Sequence, residues 1–132
     1  KLTNNGLITE ESKGQMLIIK PGRTYWDAIN VFQKDLRQWD ELLTKITDLF
    51  LRMNTREAEI AATVHFVARE LSSTGNYPSE QDVLEGVKRW KQRRRPPLGD
   101  EEIALSIRSL NAMNWLDLIP SPSLPLPSED CY

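Results

Sequence analysis

One cysteine, one histidine and six scattered glycines are all that 132 residues offer of the types on which much site chemistry relies. The lone Cys131 rules out an internal disulfide and suits a reducing compartment, so the expected location is cytoplasmic. His65 has no second imidazole to share a metal, and it lies at the border of an apolar helical face, where a structural role is expected. None of the glycines stands in the G-x-G or G-K-S setting of a phosphate loop. The longest unbroken apolar run is four residues, Met16 to Ile19, against the ~20 that span a bilayer. No charged-then-apolar leader opens the chain. It begins with Lys1 instead of methionine, which leaves room for an upstream piece, or for Met16 as an internal start. Two carboxylate groups, Asp40-Glu41 and Asp100-Glu101-Glu102, read as a solvated face and as a negative helix start. Thus no catalytic residue, cofactor, metal, small-molecule substrate or membrane contact is expected.

What the chain does have is helical periodicity. Tyr25, Ile29, Phe32, Leu36, Trp39, Leu43, Ile46, Phe50 and Met53 follow one another at alternating steps of four and three. At about 1.5 Å per residue the stripe predicts a rod about 44 Å long, or a pair of helices bent about a break. Its spacing calls for apolar partners along its whole length. Thr24-x-x-Asp27 resembles a capping box at its start, and Trp26, Leu42 and Leu49 widen the face toward that of a buried bundle helix. Glu41 with Lys45, and Asp48 with Arg52, stand four apart in the favourable acid-first order.

Asn54 and Glu57 open a second helix, with Ile60, Val64, Val67 and Leu71 inward and Ala58, Ala61 and Ala68 beside them, to about Ser72. Ser79 and Asp82 open a third, marked by Val83, Val87 and Trp90 and ending near Arg95 before Pro96-Pro97. Gly99 or Asp100 caps a fourth, with Ile103, Ile107, Leu110 and Met113 inward and Trp115, Leu116 and Leu118 at its close. Before residue 24 no helical period occurs; Gln15 to Lys20 has the makings of a short strand, ended by Pro21-Gly22. Pro120, Pro122, Pro125 and Pro127 predict an extended or flexible tail. With 39% apolar and 27% charged residues, the chain can bury a real core. The expected fold is therefore all-α: a bundle of about four helices over 24–118 with a long first helix, an irregular segment 1–23 and a Pro-rich tail 119–132.

The net charge is −2, yet Lys88, Arg89, Lys91, Arg93, Arg94 and Arg95 put six cations into eight positions. Two or three would satisfy a helix C-terminus, so six point to a phosphate backbone. On a continuing helix Lys88, Lys91 and Arg95 would share one face, and Arg89 and Arg93 another. Arg52, Arg56, Arg69 and Arg108 would extend the patch wherever the bundle brings them near. Trp26, Trp39, Trp90 and Trp115 all fall at core-compatible phases, and core filling is the expectation for them.

Two function classes follow. One is a DNA-binding regulator of the helix-turn-helix or winged type, supported by three short helices after residue 54. Against it, the natural reading helix would present Asp100, Glu101 and Glu102 to phosphates, and prolines occupy the place of a wing. The other is a non-catalytic helical subunit that packs against protein neighbours and a nucleic-acid backbone. Thr55-Arg56-Glu57 opening an Ala-rich helix, Trp90-Lys91-Gln92-Arg93-Arg94-Arg95 before a proline break, and Asp100-Glu101-Glu102-Ile103 leading to Asn114-Trp115-Leu116 carry a resemblance. Over Thr24 to Leu118 the pattern resembles the small helical subunit of CRISPR Cascade-type effector complexes. In particular it looks like the version equivalent to the C-terminal helical domain of the type I-D large subunit. The resemblance implies antiviral defence, copies of the chain lining a complex of other protein subunits, and contact with guide RNA or target nucleic acid through the basic segment. Guide pairing would supply sequence specificity.

Overall fold

The computed structural model describes residues 2–73 and 75–125; Lys1, Pro127 and Cys131 lie outside the described residues. The chain divides into two units, Lys1–Leu49 and Phe50–Tyr132.

The first unit opens with an antiparallel hairpin of β1 (Ile8–Lys13) and β2 (Met16–Pro21), which overturns the all-α expectation: the fold is mixed α and β. Lys13 pairs with Met16 across a two-residue loop, and Gly14 there has φ 64°, as a type II′ turn requires of its first central residue. Only the second strand was visible in sequence. Its partner, Thr9-Glu10-Glu11-Ser12-Lys13, has no apolar alternation because both faces of the hairpin are largely exposed. A Lys20–Glu11 ion pair crosses the strands. Gly22 follows β2 where its backbone approaches the Gly6 carbonyl; a Cβ would stand 2.1 Å from that oxygen.

The long first helix is three helices: α1 (Tyr25–Val31), α2 (Gln33–Arg37) and α3 (Asp40–Leu51). Thr24 does not cap the first of them; its hydroxyl donates instead to the Asn5 carbonyl at 2.8 Å. Backbone bonds continue across Phe32, to Ala28 and from Leu36, but the Trp39 N–H turns to Leu36, three residues back. The first break follows Ile29-Asn30-Val31-Phe32, four weak helix formers in a row. No residue of α1, α2 or α3 is buried, so the packing that would override weak propensity is missing there. Trp26, Phe32, Trp39, Leu42, Leu43 and Phe50 are exposed, contrary to the partners their spacing called for.

The second unit holds the core. Ile60, Val64 and Val67 of α4 (Thr55–Ser72) meet Val83, Leu84 and Val87 of α5 (Glu80–Trp90) and Ile103, Ile107 and Leu110 of α6 (Asp100–Ala112). Each such side chain contributes about 1.5–3 kcal/mol by burial. Asn54 accepts from the Arg56 and Glu57 amides while Glu57 accepts from Asn54, a complete capping box; Ser79 and Asp82 repeat it. At Gly99 only half of the box exists, the Glu102 carboxylate accepting the Gly99 N–H at 2.9 Å. α6 closes in a Schellman motif: Trp115 N–H reaches Leu110 O, Asn114 N–H reaches Asn111 O, and Asn114 takes φ 58°. The following strand-like segment docks back. Ser79 and Ile119 form a parallel bridge, Leu118 and Leu124 are buried, and the buried Glu80 carboxylate accepts the Ser121 N–H.

Two further expectations fail. The third helix ends at Trp90, not near Arg95, with Lys91 at φ −97°, ψ 14°. Trp90 is exposed as well, as are Trp26 and Trp39; only Trp115 is partly covered. Trp90, the last residue of α5, packs against Phe66 of α4, which is itself exposed.

A Cβ on Gly86 would stand 2.5 Å from Val67 Cγ1, and a helical valine has little χ1 freedom to move away. Gly86→Ala gains about 1 kcal/mol of helix propensity but overpacks the α4–α5 contact at about 1–3 kcal/mol. The expected net is a lower urea midpoint. In a Val67→Ala background the same substitution is expected to raise the midpoint instead.

Candidate nucleic-acid interface

Antiparallel packing of α4 and α5 places Glu59, near the start of α4, beside the chain that leaves α5. Lys91 Nζ lies 2.9 Å from Glu59 Oε1, and Arg94 donates through Nε at 3.0 Å and Nη2 at 2.9 Å to the two carboxylate oxygens. All three side chains are about one-quarter to one-third exposed. The hydrogen bonds from Arg94, then those from Lys91, hold the Glu59 carboxyl at about 2, well below its usual 4.5. Glu59 was not singled out in the sequence because its partners are 32 and 35 residues away and no local pattern joins them.

A second node ties α4 to α6. Arg56 donates to both Glu102 oxygens at 2.7 Å, a fork-on-fork pair. The Arg56 guanidinium, followed by the Gly99 N–H, brings the Glu102 carboxyl to about 2. The third link joins α5 to α6: Lys88 Nζ lies 2.8 Å from Asp100 Oδ2, which raises the lysine's affinity for its proton. Two of the three acids that open α6 are therefore occupied by cations of the predicted patch.

The remaining patch residues sort differently. Arg108 donates to the Leu124 and Pro125 carbonyls at 2.8 and 2.6 Å and holds the docked segment. Arg95 donates to the Gln92 and Arg94 carbonyls and meets no carboxylate among the described residues. Arg89 and Arg93 are exposed and have no side-chain hydrogen bond or ion pair among the described residues. Arg69 is also exposed on α4, near the opposite end of that helix from Glu59. Arg52 follows α3. The faces expected of a continuing helix do not exist beyond Trp90, and the loop sorts its cations by a different rule. Lys91 and Arg94 turn inward to Glu59; Arg93 and Arg95 do not.

Beside this loop, Phe66 and Trp90 bring their ring centroids to 4.8 Å with planes tilted by 51°. Both rings are exposed, and with Val67, Glu70, Leu71, Gly86 and Arg89 they line an open groove between α4 and α5. Phe66 was not singled out in sequence either; a phenylalanine next to the His65 border position looks like ordinary helix filling. Among the described residues no three or more His, Cys, Asp or Glu side chains cluster as a metal site, and no helix is long and apolar enough to cross a membrane.

Because the Glu59 and Glu102 carboxyls sit below their unfolded value, the stability that they contribute is whole above about pH 4.5 and is lost as pH falls toward 2. Thermal unfolding followed by circular dichroism is expected to show Tm falling across that window. Glu59→Gln is expected to cost on the order of 1 kcal/mol at pH 7, since the node is partly solvated, and to flatten the fall. A Tm equally steep with pH in the variant would remove Glu59 from this account.

No protein-family model, curated protein or solved structure matches the chain.

Proposed function

We propose that this chain is a non-catalytic subunit of a nucleoprotein complex that touches the nucleic-acid backbone without reading sequence. One observation carries the reading. Of the cations that follow α5, Glu59 clamps Lys91 and Arg94, while Arg93 and Arg95, alongside Arg89, have no carboxylate partner among the described residues. The clamp fixes the path of the loop, and the rest forms a small outward cationic rim. Arginine forks match phosphate oxygens, and each phosphate neutralised releases counterions.

The resemblance to the small subunit of RNA-guided CRISPR effectors belongs to this proposal. It adds antiviral defence, a cytoplasmic setting, guide RNA or target strand as the ligand, and neighbours that include other subunits and copies of this chain. The exposed apolar residues of α1 to α3 suit a protein that is covered in an assembly. The alternative, a helix-turn-helix regulator, has less support. Residues 91–99 separate α5 from α6, longer than the three or four residues of that motif's turn. Its reading helix would also begin with three acids.

The test is a salt titration of the full chain on a fluorescent single-stranded oligonucleotide. Binding is expected to be weak, indifferent to sequence and steeply salt-dependent. Arg93→Ala with Arg95→Ala should weaken it and reduce the slope of log K against log salt by roughly 0.7 per arginine. Helical content should be unchanged. Unaltered affinity would discard the rim, and one duplex sequence bound far above random DNA would favour the regulator.

A further inference from the structure

Resting on that reading, we infer that the Phe66–Trp90 pair is a stacking platform for an unpaired nucleobase, placed where the strand leaves the cationic rim. The two rings stand on adjacent antiparallel helices, 43% and 61% exposed. Both rings lie outside the buried core of α4 and α5, which includes Val64, Val67, Val83 and Val87. Gly86 keeps the groove beside them open, because any side chain there would run into Val67. Arg89, one residue before Trp90, lines the same groove, and Arg93 follows three residues after.

Direction comes from the packing. Glu59 meets Lys91 and Arg94, Val67 lies against Gly86, and Leu71 shares a groove with Asp82 and Glu85. The aromatic pair thus lies between the cationic end of the α4–α5 seam and Asp82 and Glu85 at the other, with Glu70 lining the rings' own groove. A polyanion is drawn to the first end and repelled from the second. This selects a strand that presents a base to the rings and its phosphates to Arg89 and Arg93. A flat π-face with an arginine beside it accepts any base, which agrees with binding indifferent to sequence.

The experiment compares two oligonucleotides of equal length and charge on the full chain, one of thymidines and one with abasic sugars throughout. The thymidine strand is expected to bind about tenfold or more tightly and to quench the Trp90 emission, identified by its loss in Trp90→Leu. Trp90→Leu and Phe66→Leu should reduce thymidine binding to the abasic level with the salt slope unchanged, and Trp90→Tyr should keep most of the excess. Equal binding of the two strands would overturn the platform and leave the rim standing, with the exposed rings then assigned to a protein neighbour. Binding of neither strand would overturn both.

Discussion

A carboxylate on one helix takes hold of the chain that leaves another, and the arrangement of this molecule's charged corner depends on that grip. Lys91, Arg93, Arg94 and Arg95 follow α5 within five positions, and like charges so crowded repel one another in any conformation. Glu59 relieves the crowding by accepting Lys91 and Arg94 together. Its hold draws the loop toward α4, fixes which two cations turn inward and, by the same step, which are left outward. Both partners are partly solvated, so the node acts as a positional constraint more than as a large store of stability.

The acids that open α6 work in the same manner at a different place. Glu102 accepts the Gly99 N–H as a helix cap and binds the Arg56 guanidinium as an ion pair, so one carboxylate both starts α6 and fastens it to α4. Asp100 adds the link to α5 through Lys88. Three helices whose apolar faces would tolerate small rotations are in this way held at their polar ends. One ion pair, Lys88–Asp100, joins the acidic run to the basic run directly; Glu102 takes its cation from α4, and Lys91 and Arg94 take their carboxylate from α4.

Local chemistry was legible and distant pairing was not. The Asn54 and Ser79 caps, the inward faces of α4 and α6, and the alanine approach at Ala61 and Ala68 all follow from spacings within one helix, and the structure has them, except that Met113 lies past the end of α6 and is exposed. β1 was missed because a strand exposed on both faces needs no apolar alternation. The stripe from Tyr25 to Met53 read as one buried helix because period alone says which residues share a face, not whether anything covers it. Trp90 misled for the same reason: its phase puts it in line with Val83 and Val87, yet at the end of α5 it is exposed. Of the candidate patch, sequence named the cations but had no means of separating Lys91, Arg94, Arg56 and Lys88, which are paired, from Arg89 and Arg93, which are not.

That separation bears on what kind of recognition this corner can support. Reading a base edge demands an arginine fork held in one orientation by its neighbours, since each correct contact is discriminated by geometry of a few tenths of an ångström. The forks that are so held here, on Arg94 and Arg56, face Glu59 and Glu102 and have their donors occupied. Among the described residues Arg93 has no side-chain partner, and Arg95 is steadied by carbonyls of its own loop. Side chains of that kind adapt to wherever a phosphate lies and do not favour one base over another. The tilted rings of Phe66 and Trp90 are equally tolerant, because a π-face is common to every base. On the proposed function, the fixed cations serve the architecture and the adaptable ones would hold a strand whose sequence is chosen elsewhere.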